Sequence, residues 1–484
     1  MTPLTPKEYV VNVGPHGTFR MSGNYQTLPE DIDRMFAGFK QKNVKKIALY
    51  FHGGLVNERS GLESAERVAT YLQRAGAAPV CFVWETGLVE TVSNNISKIS
   101  QTKLFNKLLK LLIKKTIRLI GFDSPMARGK AGAILTDEQI EAELAKPEPF
   151  SDYNRFADAA NARTAVGLDT INLPVLEREL TTELNGMINM DREFVALIND
   201  TKLTTIDTKA QNGSRGIITI ANYVGHVVKI IVRIISRFKE KRDHDLYPTI
   251  VEEILREFYI AEVGAWVWKL MKDKADYMWD SNTGRTGIDQ YAGRYFLEQL
   301  AAYKKEFPDT MVDLVGHSAG SIAICHLLAA TSTLALPFQY ENVLFLAPAC
   351  SVDLFKQEML SPPGRYKQIR VFTMSDEYEC KDVLLRYVYT HSLLYLISGI
   401  LEDEGESYDS FILGLKRHTG YIAPYDIAEL KDVHFYFNEQ DKNREVLSVT
   451  LEHAGDGLRS GAKAHGDFDD DVLTLTSIQY LLQQ

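Results

Sequence analysis

Ser318 sits between two glycines in Gly316-His317-Ser318-Ala319-Gly320. A serine becomes a nucleophile only when it is held apart from its neighbours and given a base. The stretch "MVDLVGHSAGSIAICHLLAA" starts with a strand-like apolar run and continues at helical spacing. The chain therefore turns abruptly at the serine, and glycine two places away on each side removes the side chains that would collide there. The helix that follows starts beneath the serine and favours negative charge at the site. A chance Gly-x-Ser-x-Gly occurs in roughly one chain in seven of this size. The strand before it and the helix after it are what give the spacing meaning. A second element is His52-Gly53-Gly54-Leu55, which ends "LYFHGGL". Acyl transfer needs backbone N–H donors for the oxyanion, here expected from Ala319 and from Gly54 or Leu55. His52 reads as a residue that shapes the loop rather than as a base.

The serine needs a histidine, and the histidine needs a carboxylate that holds its tautomer. After Ser318, the run "QIRVFTM" leads into Ser375-Asp376-Glu377, and a carboxylate just past a strand is well placed. Asp376 is the first choice. Glu377, Glu379 and Asp382 compete closely, and Asp353 more distantly. Among the late histidines, His465 lies in a glycine-rich loop just before the last amphipathic helix, "SGAKAHGDFDDDVLTLTSIQYLL". Such a loop can bring it over the sheet. His453, at the end of "VLSVTLEH", is the alternative.

The elements that must position these residues alternate between strand and helix in two blocks. "VKKIALYFHGG", "GLESAERVATYLQRAG" and "APVCFVWETG" form the first. "AGRYFLEQLAAYKKEF", the serine stretch, "ENVLFLAPA" and "QIRVFTMSDEYE" form the second. This alternation predicts an α/β fold, a mostly parallel sheet flanked by helices. The division expected is 1–89 and 282–484 as core and 90–281 as a large, mainly helical insertion. A smaller insertion is expected between Lys381 and Gly420. The large insertion carries two basic amphipathic stretches, one with Lys103, Lys107, Lys110, Lys114 and Arg118, the other with Lys229, Arg233, Arg237 and Lys241.

The chain has 484 residues and a formal net charge of −10 at pH 7, which argues against a general nucleic-acid binder. Its four cysteines form no C-x-x-C pair and point to a reducing compartment. The first residues show no basic start followed by an apolar run, so a cytoplasmic location is expected.

"LYFHGGL", "CFVWETG", "DLVGHSAGS", "LFLAPACSVDLF" and "VFTMSDEYECKDVL" follow the order of the α/β-hydrolase superfamily, which the chain resembles over 44–87 and 292–484. It is most similar to a group of bacterial serine hydrolases of undefined substrate. The resemblance implies Ser318, Asp376 and His465 as nucleophile, acid and base. It also implies ester hydrolysis without a metal or organic cofactor. Fold alone does not decide the reaction. A catalytically silent binding or signalling module and a peptidase or amidase with the same triad are the other readings. The insertion is expected to form a helical cap or lid over Ser318. Through Lys103, Lys107, Lys110 and Lys114 it could also touch an anionic membrane, which would suit a lipid ester. The plainer alternative is that the two basic helices pack on each other and leave their cations in solvent.

Overall fold

The computed structural model describes all residues except 1–3, 55–57, 85–87, 121–134, 156–167, 169–170, 201–203, 207–214, 218–219, 264, 335–338 and 404–408. Nine strands are described in chain order. They are β1 (Val10–Val13), β2 (Lys46–Phe51), β3 (Ala78–Trp84), β4 (Thr204–Ile206), β5 (Arg215–Ile217), β6 (Met311–His317), β7 (Tyr340–Leu346), β8 (Tyr366–Met374) and β9 (Glu445–Ser448). Strands β4 and β5 pair antiparallel as a small hairpin. The other seven form one all-parallel sheet in the order β1-β3-β2-β6-β7-β8-β9.

The central strands are buried along nearly their whole length. That explains their continuous apolar runs, because a parallel sheet is covered on both faces. Asp313 is the exception inside β6. It is fully buried and accepts hydrogen bonds from the Asn342 side chain (2.7 Å) and backbone N–H (3.2 Å) of β7. On one face, the helix Glu58–Arg74 buries Gly61, Ser64, Ala65, Val68, Ala69 and Leu72 at helical spacing. It shares a core with the last helix, Val472–Gln483. Asp471 caps that helix by accepting from the Thr474 N–H at 2.8 Å.

The sheet's topology selects one place for a site. From β2 the chain moves outward to β3, which lies between β2 and the edge strand β1. From β6 it moves stepwise to β7, β8 and β9 at the other. Neighbours β2 and β6 therefore send their following loops in opposite directions. The crevice at their carboxyl ends is where open α/β sheets bind ligands.

The chain divides into two compact units, 1–91 with 266–382 and 410–484, and 92–265 with 383–409. Relative to the division expected from sequence, 266–281 goes with the sheet and 383–409 with the helical unit. In the helical unit, the helix Ile220–Lys239 packs against Leu173–Met190, Lys103–Ile120 and Leu246–Phe258. The two basic helices thus pack on each other. Their cations meet carboxylates of neighbouring helices. Lys107 pairs with Asp191 (2.8 Å) and Glu193 (2.9 Å), Lys110 with Glu141, and Lys114 with Asp137. Arg237 is wholly buried between Glu252 (2.7 Å) and Glu253 (3.1 Å). No described helix is long and apolar enough to cross a membrane.

Candidate functional site

Strand β6 ends at His317, and the helix Gly320–Thr333 begins three residues later. Ser318 between them has φ +51°, a left-handed conformation uncommon for serine. The flanking glycines are required by close approach. A Cβ on Gly320 would lie 2.2 Å from the Phe51 carbonyl oxygen at the end of β2, and one on Gly316 would lie 2.9 Å from the Gly320 carbonyl oxygen. The elbow is held from β7 as well. The Ser318 N–H donates to the Leu346 carbonyl (2.8 Å), and the Ser318 carbonyl accepts from the Ser321 hydroxyl (2.7 Å) and the Ala349 N–H (3.1 Å).

His465 opens a 3-10 turn of three residues shortly before the last helix. Its Nε2 lies 2.9 Å from Ser318 Oγ, across 147 residues of sequence. Both are enclosed, Ser318 at 1 % and His465 at 3 % exposure. Burial, helped by the neighbouring His317, pushes the His465 pKa down to about 3, against a smaller opposing pull from Asp469. The ring is thus neutral at pH 7 and able to accept the serine's proton. The alternative base, His453, stands exposed.

The acid is where the arrangement differs from the expectation. Nδ1 of His465 is buried and has no hydrogen-bond partner, so Asp376 does not reach it. Asp376 instead starts the short helix Asp376–Lys381, capped by Ser375, where a carboxylate is favoured by the helix terminus. That helix carries the chain onward, and Asp382 is the carboxylate that arrives at His465. Its Oδ2 accepts the His465 backbone N–H at 2.8 Å. Burial raises the Asp382 pKa, with the His465 N–H acting against it. Glu377 pairs with Lys381 on the same helix.

Ala319 is the N-cap residue of the helix after the elbow, and among the described residues its N–H donates to nothing. The loop after β2 lies against it. A Cβ on Gly54 would be 3.0 Å from Ala319 Cβ, and one on Gly53 would be 3.1 Å from Ser318 Cβ. Gly54 therefore borders the space where an oxyanion would form, whereas Leu55 lies outside the described residues. His52 is occupied by backbone groups. Its Nε2 accepts the Trp84 N–H (2.9 Å), and its Nδ1 donates to the Gly53 carbonyl. Burial pushes its pKa down to about 4.

The sequence reading does not find His317, Asp469, Tyr50 and Ser64. His317 Nδ1 lies 3.3 Å from Asp469 Oδ2, and its Nε2 donates to the His465 carbonyl at 2.9 Å. Asp469 also accepts from Tyr50 (2.8 Å) and Ser64 (2.5 Å). Asp469 belongs to the acidic run "DFDDD" ahead of the last helix, where sequence cannot separate one aspartate from the next. Among the described residues of this unit, no three metal-ligating side chains converge.

No protein-family model, curated protein or solved structure matches the chain.

Proposed function

We propose that the protein is a serine hydrolase of the α/β-hydrolase type that cleaves an ester through an acyl-enzyme. The observation that carries this reading is the Ser318–His465 pair at 2.9 Å, on an elbow with positive φ and beside an open backbone donor. The strand order is not that family's usual one, so the reading rests on the elbow and the late histidine rather than on the sheet. In the mechanism, His465 Nε2 takes the Ser318 hydroxyl proton as Oγ attacks the carbonyl carbon. The N–H groups of Ala319 and of the Gly54–Leu55 loop receive the developing oxyanion. The His465 imidazolium then gives its proton to the leaving oxygen. Water hydrolyses the acyl-enzyme by the same route in reverse. We assign Asp382 the part of orienting acid in place of Asp376, because it already holds His465 by the backbone.

The test is labelling by a fluorophosphonate probe. Wild-type protein is expected to be labelled and Ser318→Ala to be unlabelled. A folded wild type that stays unlabelled, or a labelled Ser318→Ala protein, overturns the reading. The unpartnered Nδ1 of His465 favours a second reading, a silent fold used for binding. An unlabelled wild type would select it. Rates on matched esters and amides decide between esterase and amidase.

A further inference from the structure

Behind the Ser318–His465 pair lies a second buried histidine–carboxylate pair that the proposed reaction does not use. His317 is 5 % exposed and Asp469 8 %. A backbone carbonyl can only accept a hydrogen bond, and an ionised carboxylate can only accept one. His317 faces one of each, the His465 carbonyl at Nε2 (2.9 Å) and Asp469 Oδ2 at Nδ1 (3.3 Å). Hydrogen on both ring nitrogens, an imidazolium, suits both of these partners.

We propose that the His317–Asp469 ion pair is a strut that positions His465 against Ser318. The proposal rests on the serine-hydrolase reading for its effect on rate, but not for the charge state of the ring. The pair ties together the parts that must stay in register. His317 belongs to β6 and precedes the nucleophile. Asp469 follows His465 by four residues. Tyr50 of β2 and Ser64 of the helix Glu58–Arg74 both donate to Asp469 Oδ2. The His317 ring also stands beside the loop after β2, since a Cβ on Gly53 would lie 3.4 Å from its Nδ1. The charged or titratable groups facing His317 are therefore Asp469, His465 and His52, with Tyr50 reaching it through Asp469. Burial disfavours the charged ring, but the Asp469 carboxylate and the His465 carbonyl outweigh it and raise the His317 pKa. Asp469 is correspondingly held below the usual carboxylate range by His317, Ser64 and Tyr50, against its burial.

The role is positioning. His317 touches the carbonyl of His465 and not its ring nitrogens, so it sets where the base stands without handling the proton.

The experiment has two readouts. The first is NMR of protein labelled in its histidine rings, with His317 assigned from His317→Gln. His317 is expected to show the imidazolium signature with both N–H protons and to lose it only above the ordinary histidine value of 6.5, and in Asp469→Asn to titrate lower than in wild type. The second is kinetics on a small soluble ester. Asp469→Asn and His317→Gln are each expected to lower kcat by about 10²-fold, as for a reacting group displaced by about 1 Å, with KM little changed. Ser64→Ala, which leaves Tyr50 on Asp469, is expected to fall between wild type and Asp469→Asn. If Asp469→Asn fails to fold, the wild-type NMR and His317→Gln still decide. A His317 ring that titrates at or below 6.5 in folded wild type, or kcat unchanged in His317→Gln, overturns the proposal. Fluorophosphonate labelling of wild type is run alongside. If labelling fails while the imidazolium is seen, the hydrolase reading falls and the charged strut stands.

Discussion

At the scale of single residues, the site is a serine, a neutral histidine and a carboxylate that has not yet met the ring. Asp382 accepts the His465 backbone N–H and is the carboxylate placed beside this histidine. Asp382→Asn is therefore expected to lower kcat/KM by more than Asp376→Asn does, and by up to about 10⁴-fold if it acts as a triad aspartate does. Steady-state kinetics of the two variants on one ester checks this, and the reverse order would return the role to Asp376. Gly320→Ala tests the elbow itself. The added methyl group meets the Phe51 carbonyl at 2.2 Å, and that backbone cannot retreat without moving β2. A loss of about 1–3 kcal/mol in stability is expected from urea unfolding, as for overpacking in general.

At the scale of elements, the basic helices show how sequence can suggest a surface that packing then occupies. Three of the four lysines proposed to meet a membrane, Lys107, Lys110 and Lys114, are paired with acids on neighbouring helices, and Lys103 alone has no carboxylate partner among the described residues. Peripheral membrane contact through this stripe remains a proposal, with the condition that these pairs open. Each partly exposed pair is worth about 0.5 kcal/mol, so opening them is not prohibitive, but the binding is expected to be weak. Vesicles with anionic lipid should pellet the protein at low salt and less at high salt. Changing the four lysines to Gln should weaken pelleting and leave hydrolysis of a small soluble ester intact. Absence of pelleting at low salt would leave the lysines as ties between helices.

At the scale of the whole molecule, the buried histidines set how stability changes with pH. His52 and His465 are held neutral in the fold, with pKa values near 4 and 3 against 6.5 in the unfolded chain. Below pH 6.5 the unfolded chain binds protons that the fold refuses, so stability falls as pH drops. The cost is at most about 1.4 kcal/mol per histidine per pH unit until the folded pKa is reached. His317 has the opposite sign. Its raised pKa stabilises the fold fully below 6.5, and this is lost as pH rises through its folded value. Asp469, with a depressed pKa, stabilises above its unfolded value and loses this as pH falls through its folded one. A broad maximum in Tm near neutral pH is expected. In His317→Gln the alkaline decline should flatten while the acid decline remains, and a melting series from pH 4 to 9 would show either outcome.

The alternation of apolar strands and amphipathic helices, and the glycines around Ser318, are local patterns, and each was legible in the sequence because burial on both faces of a parallel sheet leaves a continuous apolar run. The short edge strands β1 and β9 were not read, since four residues carry too little period. His465 could be chosen because a loop before a final helix has few other places to go, and the structure brings it to Ser318. The carboxylate could not be chosen. Asp376, Glu377, Glu379 and Asp382 stand within seven residues, and only the turn of the helix Asp376–Lys381 decides which one the chain delivers to His465. The His317–Asp469 pair was hidden for the same reason. Its members are 152 positions apart, and their contact exists only because β2, β6 and the last helix pack around one buried charge.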